Sequence, residues 1–494
     1  MLQGTASDVG KTVLCTALCR IFKQDGFRVA PFKAQNMTLN SFVTLDGREM
    51  GTAQALQALA AGVEPRAEMN PILLKPKADL EAQVVVLGEP LADMTAKGYR
   101  QDYLPRARQV VQDCLQVLQS EYELLVAEGA GSCAEVNLKD GDIVNMFVAE
   151  AAGLPVVLVA DIDRGGVFAS IIGTLALLTP AERDRVAGII VNKFRGDIDL
   201  FRPGIEFLEE RTGKPVLGVI PYLEHGIAEE DSTSISSHRA RPGEVEIAVL
   251  KLPRIANFTD MHALAQVPGV SLRYVKGGEP IGRPQAVILP DTTNPAADLA
   301  YLRAKRYDLE LAGLHAGGVP VVGIGAGCYL LGETLVEMDG TSQAGLGLLP
   351  LVVTLGQESG GVRVEGVVTR ACGDTWQGLE GTRIAGYELR GGRLAWTGEV
   401  QVFVELDGQP VFSGSPEGTV LGTQVHGVFH NPALALAFVN KLRRSKGLSP
   451  LPAGDCRFLD QEAAFDRLAA EVRQHLNLPL LYQLMGIAPS DRAC

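Results

Sequence analysis

Nine residues near the head of the chain, Gly4-Thr5-Ala6-Ser7-Asp8-Val9-Gly10-Lys11-Thr12, have the types and spacing of a phosphate-binding loop. In such a loop glycines let backbone N–H groups turn inward around a triphosphate, a lysine reaches the β/γ oxygens, and a hydroxyl ligates Mg²⁺. Gly4, Gly10, Lys11 and Thr12 fill those roles here, so the sequence predicts binding of ATP or GTP. Five residues rather than the usual four separate Gly4 from Gly10. The helix-like run Val13 to Phe22 follows at once and would aim its N-terminal dipole at the phosphates. Further candidates end short apolar runs: Lys33, Glu128, Asp161 and Asn192. Glu128 with Thr12 is the expected Mg²⁺ pair, because a hard cation takes oxygen ligands and few protein groups when phosphates and water supply the rest. Asp46 is a third metal candidate. Lys11 and Lys33 would neutralise charge spreading over a transferred γ-phosphoryl group, and Asn192 is placed to read adenine. Lys75, Lys77, Arg164 and the stretch Asn192-Lys193-Phe194-Arg195 would give an acidic protein local positive charge, which suits a polycarboxylate substrate.

Those residues need a scaffold, and the apolar pattern supplies one. Runs at Phe27 to Ala30, Leu124 to Ala127, Val156 to Ala160, Ile189 to Val191 and Val216 to Ile220 alternate with helical patterns such as Thr52 to Ala61 and Ala107 to Ser120. Near-continuous apolar strands alternating with helices indicate an α/β fold with a parallel sheet covered on both faces. Ligands then sit at the carboxyl ends of the strands, where the polar candidates lie. At 494 residues the chain exceeds one core and suggests two or three domains. A shift to Ser, Arg and acidic residues between Glu229 and Gly243 marks a linker, and strands return at Ile247 to Leu252, Ala286 to Leu289 and Val319 to Gly323. The expected division is residues 1–230, a linker over 231–244, a second α/β domain over 245–440 and a helical extension over 441–494. With 58 acidic against 45 basic residues, net −13, no nucleic-acid surface is expected. No apolar run approaches the roughly 20 residues of a membrane span. Eight cysteines without a CxxC pair and no signal peptide point to the cytoplasm.

The longer strings carry a resemblance. Val9-Gly10-Lys11-Thr12, Ala30-Pro31-Phe32-Lys33-Ala34-Gln35-Asn36-Met37, Leu39-Asn40-Ser41-Phe42-Val43-Thr44, Met69-Asn70-Pro71-Ile72-Leu73-Leu74-Lys75-Pro76, Asp161-Ile162-Asp163-Arg164-Gly165-Gly166-Val167-Phe168, Pro253-Arg254-Ile255-Ala256-Asn257-Phe258-Thr259-Asp260 and Phe465-Asp466-Arg467-Leu468-Ala469 resemble the adenosylcobyric acid synthase family over essentially the whole chain. The resemblance implies a dethiobiotin-synthetase-like P-loop domain followed by a class I glutamine amidotransferase-like domain. It implies ATP-dependent amidation of the b, d, e and g carboxylates of adenosylcobyrinic acid a,c-diamide through an acyl phosphate, with glutamine or ammonia as nitrogen source. The runners-up are the related a,c-diamide synthase, against which Phe32-Lys33-Ala34-Gln35-Asn36 argues, and a nucleotide-switched ATPase of the partition type.

Departures from the family pattern accompany the likeness. Gly422-Thr423-Gln424-Val425-His426-Gly427-Val428-Phe429 matches the family's histidine motif, which makes His426 the expected base. An ungapped match of Val321 to Gly332, however, puts Gly325 where the family has its nucleophilic cysteine. Cys328 follows three residues later, about 4.5 Å along a helix, and serves as nucleophile only after local realignment. Asp291 stands where the family usually has Gly, Thr293 where it has Lys, and Arg390 where it tends to have His. A carboxylate beside a developing oxyanion raises the barrier, so a decayed glutaminase is the favoured expectation and a displaced, working Cys328 the alternative. A decayed second domain would remain as scaffold or ammonia conduit. The family also carries a full strand before the loop, whereas Met1-Leu2-Gln3 offers a stub, which suggests a lost N-terminal stretch.

Overall fold

Five of the apolar runs and the short N-terminal strand become one all-parallel sheet: β1 (Leu2–Gly4), β2 (Val29–Phe32), β3 (Leu124–Ser132), β4 (Val156–Asp161), β5 (Val186–Phe194) and β6 (Val216–Pro221), in the spatial order β6-β5-β4-β1-β3-β2. The structure is a computed structural model that describes residues 1–78, 81–223, 243–356, 360–389, 391–452 and 460–487. β4 is buried at every residue, as a strand covered on both faces must be, and its Val-Val-Leu-Val-Ala run follows from that. β1 is the three-residue stub the sequence predicts, and it lies at the centre, pairing Leu2 with Val157 and Gly4 with Val159. On one face α1 (Lys11–Gln24) packs against α2 (Thr52–Ala61); on the other, α3 (Leu104–Glu121) brings Ala107, Val111, Leu115 and Leu118 into a core with Leu158 and Val191.

The second domain is built on a ten-stranded mixed sheet. Its strands are β7 (Val245–Leu250), β8 (Val270–Val275), β9 (Ala286–Leu289), β10 (Val321–Ile324), β11 (Gly361–Ala371), β12 (Arg383–Leu389), β13 (Gln401–Leu406), β14 (Gln409–Gly414), β15 (Val420–Thr423) and β16 (Val425–His426), ordered β8-β7-β9-β10-β15-β14-β13-β11-β12-β16. The first five strands of that order are parallel and the remainder antiparallel. Of the expected linker, residues 231–242 lie outside the described residues, as does Arg390.

The C-terminal helices divide between the domains. The helix Pro432–Ser445 crosses the expected boundary at 440 and sends Leu434, Phe438, Val439 and Leu442 into the second core. Beyond it, Gln461–His475 returns to the first domain and packs Phe465, Leu468 and Val472 against Leu14, Leu18 and Ile21 of α1. Arg20 seals that contact with Asp466 at 2.6 Å and Glu462 at 2.8 Å. The domains also meet through the hairpin Ser41–Val43/Glu49–Gly51, whose Phe42 ring lies 6.4 Å from Tyr387. Among the described residues no helix is long and apolar enough to cross a membrane.

Candidate active sites

The first site lies at the carboxyl ends of β1, β2 and β3. β1 runs into the loop at Gly4, and the chain reaches α1 through Gly10, the N-cap residue at φ 94°. That left-handed turn favours glycine, and the space is closed as well: a Cβ there would lie 2.1 Å from Asn192 Nδ2. One at Gly4 would lie 2.7 Å from Ala6 O and 2.8 Å from Lys11 Nζ. No side chain caps α1 and no acidic residue stands in its first turn, so the positive end of the helix dipole is turned toward the loop without a competing carboxylate. Lys11 Nζ donates to Ala6 O and Gly131 O, both at 3.0 Å, across the mouth of the loop.

Beneath the loop, Glu128 on β3 gathers three donors. Thr12 Oγ1 donates to its Oε1 at 2.8 Å, Lys33 Nζ to the same oxygen at 2.9 Å, and Gln57 Nε2 of α2 to Oε2 at 2.7 Å. Glu128 and Lys33 are both buried, and a buried ion pair holds only where hydrogen bonds satisfy its remaining atoms. The cradle that a Cβ would fill, the uncapped helix and the adjoining hydroxyl and carboxylate oxygens suit a nucleotide phosphate with a hard divalent cation. Thr12 and Glu128 would hold the cation, and Lys11 with the loop amides would hold the phosphates.

The second site forms where β10 ends. Gly325 turns the chain sharply at φ 57°, ψ −128°, into the short helix Ala326–Leu330. This turn faces His426: a Cβ on Gly325 would lie 2.5 Å from His426 Cε1 and 2.7 Å from Asp291 Oδ1. The Asp291 carboxylate fills the place that a side chain at 325 would need. Its Oδ1 accepts the Ala326 N–H at 2.7 Å, its Oδ2 accepts Asn257 Nδ2 at 2.7 Å, and His426 Nε2 stands 3.6 Å from Oδ2. Tyr387 stacks on the imidazole with centroids 5.2 Å apart, and burial together with Asp260 and Asp291 drives its hydroxyl pKa well up.

A family model described as a CobQ/CobB/MinD/ParA nucleotide binding domain matches residues 1–234, and one described as a CobB/CobQ-like glutamine amidotransferase domain matches residues 246–434. A cobyric acid synthase of Desulforamulus reducens is 52% identical, covering 99% of this chain and 98% of its own. The chain belongs to the cobyric acid synthase family. Within that family, a cobyric acid synthase of Pelotomaculum thermopropionicum is 49% identical, covering 99% of this chain and 96% of its own, and one of Klebsiella pneumoniae is 47% identical, covering 98% and 97%.

Against that family background, several expected residues stand elsewhere. Cys328 is not at the turn facing His426: its Sγ points at Gly422, where a Cβ would lie 2.4 Å away, inside the second core. Burial pushes that thiol up to about 12, whereas a working nucleophile needs the thiolate. Asp46 is not beside Thr12 and Glu128; it is exposed in the hairpin turn, where Thr44 Oγ1 donates to it and Arg48 pairs with it at 3.3 Å. Asn192 supports the loop from below, donating to Val9 O at 2.8 Å. Lys75 is buried in an ion pair with Glu49, while Lys193 pairs with Asp161 at 3.0 Å and Arg195 with Asp163 at 2.9 Å. Nothing is described of the Lys77 side chain. Sequence reasoning missed the buried amides of α2: Gln57, which donates to Glu128, and Gln54, which accepts from Asn36 at 2.9 Å. A signal was present, because two glutamines three apart in an Ala/Leu helix have to lie on one face, and both are buried.

Proposed function

We propose that this chain is a C–N bond-forming ligase of cobalamin biosynthesis that uses ATP to amidate the b, d, e and g carboxylates of adenosylcobyrinic acid a,c-diamide, drawing on free ammonia because its glutaminase half is inactive. The convergence of Thr12, Lys33 and Gln57 on Glu128 beneath an uncapped phosphate loop, in a chain of this family, carries the reading. Bound MgATP supplies the phosphoryl group that turns a carboxylate into an acyl phosphate, from which ammonia displaces phosphate.

The residues of this chain do the rest. Lys11 crosses the loop mouth and is positioned to trade its carbonyl contacts for phosphate oxygens, and Lys33 adds a second fixed cation. Fixed positive charge is most of what phosphoryl transfer asks of a protein. Glu128 aligns Thr12 and Lys33 in a single geometry, and Gln57 prevents its second oxygen from turning away. In the second domain no thiol stands at Gly325, and the N–H of Ala326, which would stabilise an oxyanion, is taken by Asp291. No thioester forms there, so glutamine supports no amidation.

The test incubates the protein with MgATP, the a,c-diamide and either ammonium or glutamine, and follows products by mass. Ammonium is expected to drive stepwise replacement of OH by NH₂, glutamine to give little or nothing, and Lys11→Ala to abolish turnover with the fold intact. Product from cobyrinic acid but none from the a,c-diamide would instead favour the related a,c-diamide synthase.

A further inference from the structure

The second domain keeps His426 and the glutaminase turn although no thiol serves them, and its remaining contacts run into the first domain. Asn257 sits at φ 44°, a left-handed backbone that asparagine tolerates better than most residues. Its side chain faces two ways. Nδ2 donates to Asp291 Oδ2 at 2.7 Å, and Oδ1 accepts the Ser41 N–H at 2.9 Å; its own N–H donates to Leu39 O at 3.0 Å. The exchange is reciprocal, for Asn40 Oδ1 accepts the Phe258 N–H at 3.0 Å. A second line runs through rings, His426 to Tyr387 at 5.2 Å and Tyr387 to Phe42 at 6.4 Å.

What the hairpin does next matters for the chemistry. Thr52, the first residue of α2, donates its N–H to Asn40 O at 3.1 Å, and Gly51 N–H donates to Asn70 Oδ1 at 2.9 Å. Asn70 Nδ2 in turn holds Lys33 O at 2.9 Å, and α2 delivers Gln57 to Glu128 at 2.7 Å. Two synthetase residues, Lys33 and Gln57, are therefore fixed by a segment whose outer side is held by Asn257.

We propose that Asn257 is a positioning residue for the synthetase reaction, using Asp291 of the thiol-less glutaminase turn as its anchor, so that the second domain is required even when ammonia is supplied directly. The proposal rests on the ATP-dependent amidation proposed above. It accounts for Asp291 in the turn: the carboxylate that blocks the Ala326 N–H is also the acceptor that orients the Asn257 amide.

The experiment uses the full chain and two independent readouts. In Asn257→Ala, hydrogen exchange is expected to rise at the amides of residues 41–61 and to stay unchanged in β4 and β10. The kcat for ammonium-driven amidation is expected to fall about tenfold or more, as loss of buried hydrogen bonds allows, with KM for ATP little moved. Asn257→Asp sets two acceptors face to face, and Asp291→Asn leaves one oxygen for two donors, the Asn257 amide and the Ala326 N–H, so each single variant weakens the joint. The Asn257→Asp/Asp291→Asn double variant exchanges donor and acceptor, and is expected to restore both exchange protection and kcat. This pair also decides the matter if Asn257→Ala does not fold. Unchanged exchange over residues 41–61 in the single variants, or no rescue in the double variant, overturns the proposal. If the unmodified protein makes no amide from ammonium, the amidation reading fails, and the exchange pattern alone still judges Asn257.

Discussion

Gly325→Cys puts a thiol back at the turn facing His426, and the structure sets the cost. The added Cβ lies 2.5 Å from His426 Cε1 and 2.7 Å from Asp291 Oδ1, below the 3.0 Å that real Cβ contacts respect. Both neighbours have to move, and overpacking of a filled site costs about 1–3 kcal/mol. The backbone adds to this. A non-glycine residue in a sparsely populated conformation carries about 1–3 kcal/mol of strain, and Gly325 stands at φ 57°, ψ −128°. At about 2–4 °C per kcal/mol for a domain of this size, the melting transition of the second domain should fall by on the order of 10 °C. The variant should still release no glutamate, because Asp291 keeps the Ala326 N–H that an oxyanion needs. Gly325→Cys with Asp291→Gly removes one of the two clashes, frees that donor and leaves His426 as base, so glutamate release is expected from the double variant alone. The assay couples glutamate to glutamate dehydrogenase for the unmodified protein, both single variants and the double, beside a thermal scan of each. Glutamate release by the unmodified protein that Cys328→Ser abolishes, or an undisturbed melting transition in Gly325→Cys, refutes the reasoning.

Glu128→Gln should stop ammonium-driven amidation and lower stability by about 1–3 kcal/mol, the cost of weakening a buried charge-assisted contact, here with Lys33; a denaturant titration with a normal midpoint would contradict the ion-pair geometry. The Cys328 thiol ionises at about 12 in the folded chain against about 8.5 when exposed, so its contribution is complete below pH 8.5 and is lost as pH rises toward 12. The denaturation midpoint should therefore fall more steeply between pH 9 and 12 for the unmodified protein than for Cys328→Ala, and parallel curves would argue against burial of that thiol. Arg20→Ala, which removes a mostly buried guanidinium from two exposed carboxylates, should cost about 1–2 kcal/mol and expose the helix Gln461–His475 to limited proteolysis before any other element; simultaneous cleavage elsewhere would show that the contact does not hold it.

The parallel sheet was legible because its strands are apolar on both faces, a pattern few other elements share. Lys33 could be placed just past the end of its strand by counting, since a parallel sheet puts all its carboxyl ends on one side, whereas Glu128, read as ending an apolar run, stands inside a strand that continues to Ser132. The match of Gly325 to the nucleophile position was likewise readable, because the ungapped string from Val321 to Gly332 fixes its register against the family pattern. Asp46 shows the limit. Its spacing from the loop says nothing about where a hairpin turn points, and its side chain serves Thr44 and Arg48 at the surface. Asn257 was quoted only as part of a longer string, because an amide that bridges two domains has no local signature: its partners, Ser41 and Asp291, lie 216 and 34 residues away. The helix Gln461–His475 was read as an extension for a similar reason. An amphipathic stripe announces that it is buried without saying against what.

That helix also sets an order on synthesis. The apolar face of α1, with Leu14, Leu18 and Ile21, is closed by Phe465, Leu468 and Val472, which leave the ribosome after the whole second domain has been made. At about 5–20 residues per second, the nascent synthetase half waits on the order of ten seconds or longer with that face uncovered. A chain that stops early in the second domain therefore leaves an exposed apolar patch on an otherwise folded nucleotide-binding half, the kind of surface that chaperones hold and proteases find. Completion of the last helices is what makes the first domain safe to release.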